Sequence, residues 1–152
     1  MTLAEQCYLA ALRILGYRFN SELELRRKLQ RKNFEKGVID AALARLRDEK
    51  WLDDERFAAA FVRMRARKRI GAKRIVYELR AAGIDDDVAK RAVAENADPD
   101  REREQLRALI ARRAGLLETP EGRNKLAAYL LKQGYDAPLV WETLRAYDQS
   151  DS

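Results

Sequence analysis

The sequence has no histidine and a single cysteine, Cys7, among its 152 residues. Histidine-based triads and cysteine–histidine nucleophiles need an imidazole, and most zinc sites need several histidines or cysteines. The loop patterns GxxxxGK[ST] and GxGxxG, which bind nucleotide phosphates, do not occur either. We therefore expect no enzyme, no cofactor and no bound metal. A lone cysteine excludes an intrachain disulfide and suits a reducing compartment, where we expect it to be a small core residue.

Proline and glycine are also scarce, at three and seven residues, and no apolar run approaches the roughly 20 residues that span a bilayer. Apolar residues recur at spacings of three and four, which is typical of amphipathic helices. The apolar N-terminal segment 3–16 lacks a basic leader and is interrupted by Glu5 and Gln6, so we interpret it as a helix rather than a signal peptide. The expected location is the cytoplasm.

Positive charge is unevenly distributed. Residues 1–50 carry 11 basic and 7 acidic side chains, residues 51–97 carry 11 and 8, and residues 98–152 carry 9 and 10. A polyanionic partner is therefore expected to bind the first two thirds of the chain.

An internal repeat is the strongest architectural signal. Segments 29–43, 79–93 and 130–144 align without gaps, at offsets of 50 and 51 residues. Each contains a leucine, then a residue that tolerates the left-handed conformation, an apolar residue and an acid. In order, these positions are Leu29, Asn33, Phe34 and Glu35; Leu79, Gly83, Ile84 and Asp85; and Leu130, Gly134, Tyr135 and Asp136. The pattern predicts a helix that ends at a left-handed residue and then a new helix, for which the aspartates Asp85 and Asp136 are good N-caps.

A further helix precedes each of these pairs. In the first unit it spans about residues 3–16, and Ser21 with Glu24 then forms a capping box for the next helix. In the second unit Asp53 opens a helix that we expect to extend to about Arg69. Asp98 and Thr119 each precede a proline at the first helical position. We predict an all-α protein of nine helices, in three tandem three-helix repeats stacked as an elongated or curved array. The predicted units are 1–50, 51–97 and 98–148, followed by a disordered tail at 149–152.

The stretch RARKRIGAKR, residues 65–74, holds six basic residues and no acid. Helical periodicity places Phe57, Phe61 and Met64 on the core face of the preceding helix, whereas Arg63 and Arg67 point away from it. Lys73 and Arg74 fall at the start of the next helix, where cations are unfavourable unless an anion is present. This conflict favours a binding function over a merely solvated helix face, which remains the alternative. The local aromatics occupy apolar-face positions, so phosphate contact is favoured over base readout.

Several motifs resemble those of the RecX family, bacterial regulators of the RecA recombinase. The similarity lies in GYRFNSELELRRKL (16–29), LARLRDEKWLDDERFAAAFVRMR (43–65) and GAKRIVYELRAAGID (71–85). Its defining positions are Ser21, Glu24, Leu25, Asp53, Asp54, Phe57, Ala58, Gly71, Ile75, Leu79, Gly83 and Ile84. Lys50 departs from the pattern, since the family often has glycine there. The family's three tandem three-helix repeats agree with the repeat derived above.

The resemblance implies a non-enzymatic negative regulator that lies in the groove of the RecA–DNA filament and contacts both protein and DNA. Such proteins suppress ATP hydrolysis, strand exchange and coprotease activity. The residues expected to contact DNA phosphates, single- or double-stranded, or acidic RecA surface are Arg26, Arg27, Arg31, Lys32, Arg63, Arg65, Arg67, Lys68, Arg69, Lys73 and Arg74. The near-neutral third unit is expected to contact protein, and the protein is expected to be a monomer.

Two other classes remain open at this point. A free-standing helical DNA-binding protein of low sequence specificity would use the same cations, although no helix offers the Asn, Gln and Arg mixture usual for base edges. A helical scaffold with no nucleic-acid role would leave them in solvent.

Overall fold

The computed structural model describes residues 1–150, with Ser150 described in its backbone only, and within them the chain is all-α. Three consecutive groups of three helices follow one another along the chain. The first group is α1 (Leu3–Tyr17), α2 (Glu22–Arg31) and α3 (Lys36–Asp48). The second is α4 (Asp54–Ala66), α5 (Ala72–Ala81) and α6 (Asp86–Asn96). The third is α7 (Pro99–Arg112), α8 (Pro120–Lys132) and α9 (Ala137–Ser150), with a short 3-10 helix at Ala114–Glu118 between α7 and α8.

Each group surrounds its own hydrophobic cluster. The fully buried side chains include Leu25 and Leu43 in the first cluster, Leu79 in the second and Leu126 in the third. Cys7 is buried as predicted, and burial raises the pKa of its thiol. Leu52, which the predicted boundary assigns to the second unit, packs in the first cluster instead. No described helix is both long and apolar enough to cross a bilayer.

The predicted helix ends are confirmed at all three repeats. Asn33, Gly83 and Gly134 have positive φ angles of 68°, 88° and 99°. The next residue then donates its backbone N–H to the carbonyl of the aligned leucine, at 3.4 Å for Phe34, 3.0 Å for Ile84 and 3.3 Å for Tyr135. These bonds satisfy carbonyls that the last helical turn leaves free, and they fold an apolar residue back onto the helix.

Lys50, the departure from the family pattern, adopts the conformation that a glycine would supply. Its φ is 64°, and Trp51 donates its N–H to the Leu46 carbonyl at 2.9 Å. The turn between α3 and α4 is therefore kept, although a lysine is strained in the left-handed region.

Several predicted details are wrong. α4 ends at Ala66 rather than near Arg69, because Arg69 has a φ of 60°. Met64, predicted in the core, is 45% exposed. Asp85 stands at the N-cap of α6 but its side chain makes no capping bond, unlike Asp53, which accepts from two backbone N–H groups. The predicted disordered tail begins inside α9, which extends to Ser150, and residues 151 and 152 lie outside the described residues.

The first and second groups meet where the start of α2 packs on the α5–α6 turn. The Ser21 hydroxyl donates to the Ala82 carbonyl at 2.6 Å, and the Asp54 carboxylate accepts from the backbone N–H of Glu22 at 2.9 Å. A Cβ on Gly83 would lie 2.5 Å from the Leu23 side chain, so the two groups approach as closely as a glycine allows.

The second and third groups meet in the same way, one unit further along. Gly71, at the start of α5, donates to the Gln133 carbonyl at 2.8 Å, and Lys73 donates its N–H to the Gly134 carbonyl at 3.0 Å. The Glu102 carboxylate of α7 accepts from the backbone N–H of Ala72. At both junctions, therefore, the N-terminus of a helix packs on a turn of the next group. A carboxylate of that next group accepts a hydrogen bond from the helix N-terminus.

Candidate nucleic-acid interface

Four of the six cations of residues 65–74 fall into two classes in the structure, those paired within the molecule and those exposed without a partner among the described residues. Arg65 donates to both carboxylate oxygens of Glu78, at 2.8 Å and 2.6 Å, and is half-buried. Arg74 contacts the same carboxylate at 3.3 Å and the Gln133 side chain at 3.0 Å. These two arginines are therefore engaged within the molecule, where a half-buried charge needs a partner.

The turn after α4 holds the second class. Arg67 and Lys68 are exposed and make no side-chain hydrogen bond or ion pair within residues 1–150. Arg63, one turn earlier, is also exposed and donates only to Asn96, at 3.1 Å. Arg67 and Lys68 lie just beyond the end of α4 at Ala66, and all three side chains are exposed to solvent. They form the cationic turn of the protein, which we define as Arg63, Arg67 and Lys68.

The start of α5 corrects one inference from the sequence. The cations Lys73 and Arg74 suggested an external anion, but the anion is internal: Glu102 bonds to the first backbone N–H of α5, and Asp136 contacts Lys73 at 2.9 Å. Burial raises the pKa of Glu102, while its bond to the Ala72 N–H opposes that rise. The helix terminus is thus already neutralised by the third group.

Arg69 lies between the two classes, half-buried in the turn. Its positive charge favours ionisation of the nearby Tyr135 hydroxyl, but burial dominates and, with the Glu102 charge, raises the pKa of Tyr135 to about 12. That hydroxyl is buried and has no hydrogen-bond partner among the described residues. Arg69 therefore packs at the junction of the second and third groups rather than on an open surface.

The cluster on α2 also divides. Arg26 contacts Asp40 at 2.6 Å, and this hydrogen bond lowers the pKa of Asp40. Arg27, Arg31 and Lys32 are exposed and have no side-chain partner in the described part of the chain. No described contact joins the α2 cluster to the cationic turn, so the structure presents two separate exposed basic surfaces.

The sequence reasoning missed two cations that the fold adds. Arg101 of α7 lines a cleft of about 210 Å³ together with Arg63 and Arg67. Lys132 of α8 lines a shallower groove with Lys73 and Arg74. Both come from the third group, whose near-zero net charge gave no signal, and only the packing of the groups brings them to the second.

The fold and these surfaces define an all-helical protein of tandem three-helix units with exposed cationic edges. Family models confirm and specify this class. The model described as RecX, first three-helix domain matches residues 7–46, and that described as RecX, second three-helix domain matches residues 53–93. The chain belongs to the RecX family.

Relatives named Regulatory protein RecX cover nearly the whole chain. The protein of Halorhodospira halophila is 37% identical over 144 residues, covering 93% of this chain and 88% of its own. That of Xanthomonas axonopodis pv. citri is 40% identical over 144 residues, covering 93% and 86%. The crystal structure of RecX from Lactobacillus salivarius has a TM-score of 0.86 at 24% identity, covering 97% of both chains, and shows the shared fold.

Proposed function

We propose that this protein is a negative regulator of the RecA recombinase that binds in the groove of the RecA–DNA filament. Binding there inhibits the ATPase, strand-exchange and coprotease activities of RecA. Membership of a family whose relatives are named regulatory proteins supports the regulatory role. The observation that carries the choice of a nucleoprotein partner is the charge of Arg67 and Lys68, which is exposed and has no partner within residues 1–150.

The division of the cations assigns them roles. Six exposed cations are available for phosphates or acidic RecA surface: Arg27, Arg31, Lys32, Arg63, Arg67 and Lys68. Arg26, Arg65 and Arg74 position the helices through internal contacts, and Arg69 lies half-buried near Tyr135. Lys73 contacts the filament only after its ion pair with Asp136 opens. The third group, at a net charge of −1, contacts RecA.

Tandem groups suit a long, partly anionic groove because each makes a few contacts and the linkage makes them act together. The protein acts as a cytoplasmic monomer without catalysis. DNA alone, single- or double-stranded, is bound through phosphates with little sequence preference, since no helix offers the Asn, Gln and Arg mixture that reads base edges.

The direct test is the DNA-dependent ATPase of RecA, measured with this protein at substoichiometric amounts. The proposal predicts inhibition that deepens as the ratio of protein to RecA rises. DNA binding with unchanged ATPase at every ratio would instead identify a free-standing DNA-binding protein of low sequence specificity.

A further inference from the structure

Exposed aromatic side chains gather where the first and second groups meet. Tyr17 is 85% exposed, Phe19 59% and Trp51 57%. Two open grooves, of about 770 and 700 Å³, lie on either side of Phe19 and share it. Tyr17 lines the first groove and Trp51 the second. We call Tyr17, Phe19 and Trp51 the aromatic surface.

Side chains of the second group form the floor of the first groove. Phe57 and Phe61 of α4 stack with ring centroids 5.8 Å apart, and Met64 continues the same side of the helix. Phe57 is buried, whereas Met64 is 45% exposed. The first groove therefore has an apolar floor, and the ring of Phe19, which also lines it, is largely open to a ligand.

Cations border the same grooves. Arg18 lines the first groove, and Lys50 and Arg56 line the second. Arg56 donates to the backbone carbonyls of Lys50 and Trp51, at 3.1 Å and 3.4 Å, and so holds the turn that presents Trp51.

Acidic charge at this border is already neutralised. Glu49 lines the second groove, but its carboxylate accepts from Arg45 at 2.7 Å and from the hydroxyl of Tyr8. The carboxylate of Glu24 lies 3.6 Å from the guanidinium of Arg18, whose side chain stays 62% exposed. The protein therefore surrounds the aromatic surface with net positive charge, which a bound ligand would meet.

Exposed rings beside cations match a ligand that carries planar apolar groups on an anionic chain. Single-stranded nucleic acid has this chemistry, because its bases stack on aromatic side chains while its phosphates meet the cations. A duplex keeps its bases stacked inside and offers only phosphates to such a surface. We propose that the aromatic surface binds single-stranded DNA by base stacking on Phe19, Trp51 and Tyr17, separately from the cationic turn. This assignment rests on the proposed function for the presence of DNA and adds the strand form that the protein prefers.

The first experiment uses the two tryptophans, Trp51 and Trp141, as reporters. In a Trp141→Phe variant all tryptophan fluorescence comes from Trp51, and in a Trp51→Phe variant it all comes from Trp141. Each is titrated with an oligothymidylate and with an abasic deoxyribose-phosphate chain of equal length. Stacking predicts that the oligothymidylate quenches Trp51 strongly and Trp141 weakly, and that the abasic chain binds at least about fivefold more weakly.

The second experiment removes the rings from the full chain. Phe19→Ala and Trp51→Ala are each expected to weaken binding of the oligothymidylate by about fivefold or more, while a duplex of equal length binds as before. Leu9→Ala is the matched control, since Leu9 is 44% exposed on the same helix as Tyr17 but lines neither groove. Circular dichroism checks that each variant is folded.

Two results would overturn the inference. Equal affinity for the oligothymidylate and the abasic chain, with no quenching of Trp51, would show that only phosphates are bound. Unchanged single-strand affinity in Trp51→Ala, together with loss of RecA inhibition, would show that the surface docks a protein, and the proposed function would survive. If the oligothymidylate quenches Trp51 but the protein never inhibits RecA, base stacking is supported and the proposed function is refuted.

Discussion

Glu78 binds the guanidinium of Arg65 through both carboxylate oxygens, at 2.8 Å and 2.6 Å, and links the end of α4 to the middle of α5. Arg74 reaches the same carboxylate at 3.3 Å. The most basic stretch of the chain thus has a structural half and an exposed half. Arg67 and Lys68, in the exposed half, keep their charged groups open to solvent.

Reversing the charge of Arg67 and Lys68 together is expected to weaken DNA binding without unfolding the protein. If the six exposed cations each contact a phosphate, a plot of the logarithm of duplex affinity against the logarithm of salt concentration has a slope of about −5. The double Glu variant is expected to reduce the magnitude of this slope by about 2. Fluorescence anisotropy over a salt series measures both slopes.

The matched control is Arg103→Glu with Arg107→Glu on α7. These arginines are exposed and unpartnered within the described chain, so the net charge changes equally. A control whose slope falls as far as that of the test variant would mean that total charge, not the cationic turn, governs binding.

Gly71→Ala is expected to destabilise the junction of the second and third groups. The added Cβ would lie 2.3 Å from the Gly134 carbonyl carbon and 2.4 Å from the Tyr135 nitrogen, both backbone atoms held by hydrogen bonds. We expect a loss of about 1–3 kcal/mol in the free energy of unfolding, measured by urea denaturation. Gly37→Ala serves as the control, because nothing lies within 4 Å of its added Cβ. Equal stability of the Gly71→Ala variant and the unmodified protein would show that the junction is loose.

Glu102 is expected to make stability depend on pH. Because burial raises its pKa in the folded protein above the ordinary 4.5, the folded state binds the proton more tightly than the unfolded chain. The stabilisation from that proton is complete below about pH 4.5 and is lost as the pH rises through the folded-state pKa.

Glu102→Gln removes this titration, and its amide oxygen can still accept from the Ala72 N–H. Relative to this variant, the unmodified protein should lose stability in urea as the pH rises from about 4 to about 7. Glu104→Gln, an exposed change on the same helix, is the control. A constant difference in stability between the unmodified protein and Glu102→Gln across that range would refute the raised pKa of Glu102.

Tyr135→Phe is expected to leave the protein as stable as before or slightly more stable. The Tyr135 hydroxyl is buried without a hydrogen-bond partner in the described structure. Its removal eliminates the free-energy penalty of burying an unbonded hydroxyl, while the ring stays packed. Tyr8→Phe gives the contrast, since the Tyr8 hydroxyl donates to Glu49 and its loss should lower stability. Thermal unfolding compares the two. Clear destabilisation of Tyr135→Phe would mean that its hydroxyl is bonded in solution.

Local sequence signals predicted most of the fold. The left-handed residues Asn33, Gly83 and Gly134 and the capping box of Ser21 with Glu24 act within one helical turn, so residue type and spacing reveal them. The end of α4 was missed because Arg69 takes a left-handed conformation that arginine rarely adopts, and no glycine marks it.

The candidate site was less accessible to sequence reasoning. Glu78 follows Arg65 by 13 residues, and Glu102 lies beyond a whole helix from the α5 terminus that it binds. Pairings of this kind depend on how the groups pack, which periodicity along one chain does not encode. The sequence located the positive charge, and tertiary contacts decide which charges remain exposed.

The central claim is that the exposed cations of the α4–α5 turn carry the protein onto the RecA–DNA filament. Its most direct test is inhibition of the RecA ATPase by the Arg67→Glu, Lys68→Glu variant beside a control of equal charge, Arg13→Glu with Lys36→Glu. These two cations of the first group are exposed and make no side-chain hydrogen bond or ion pair within the described residues. We expect the test variant to need about tenfold more protein for half-inhibition, equivalent to about 1.4 kcal/mol, while the control inhibits like the unmodified protein. Equal inhibition by the test variant and the unmodified protein would contradict the claim.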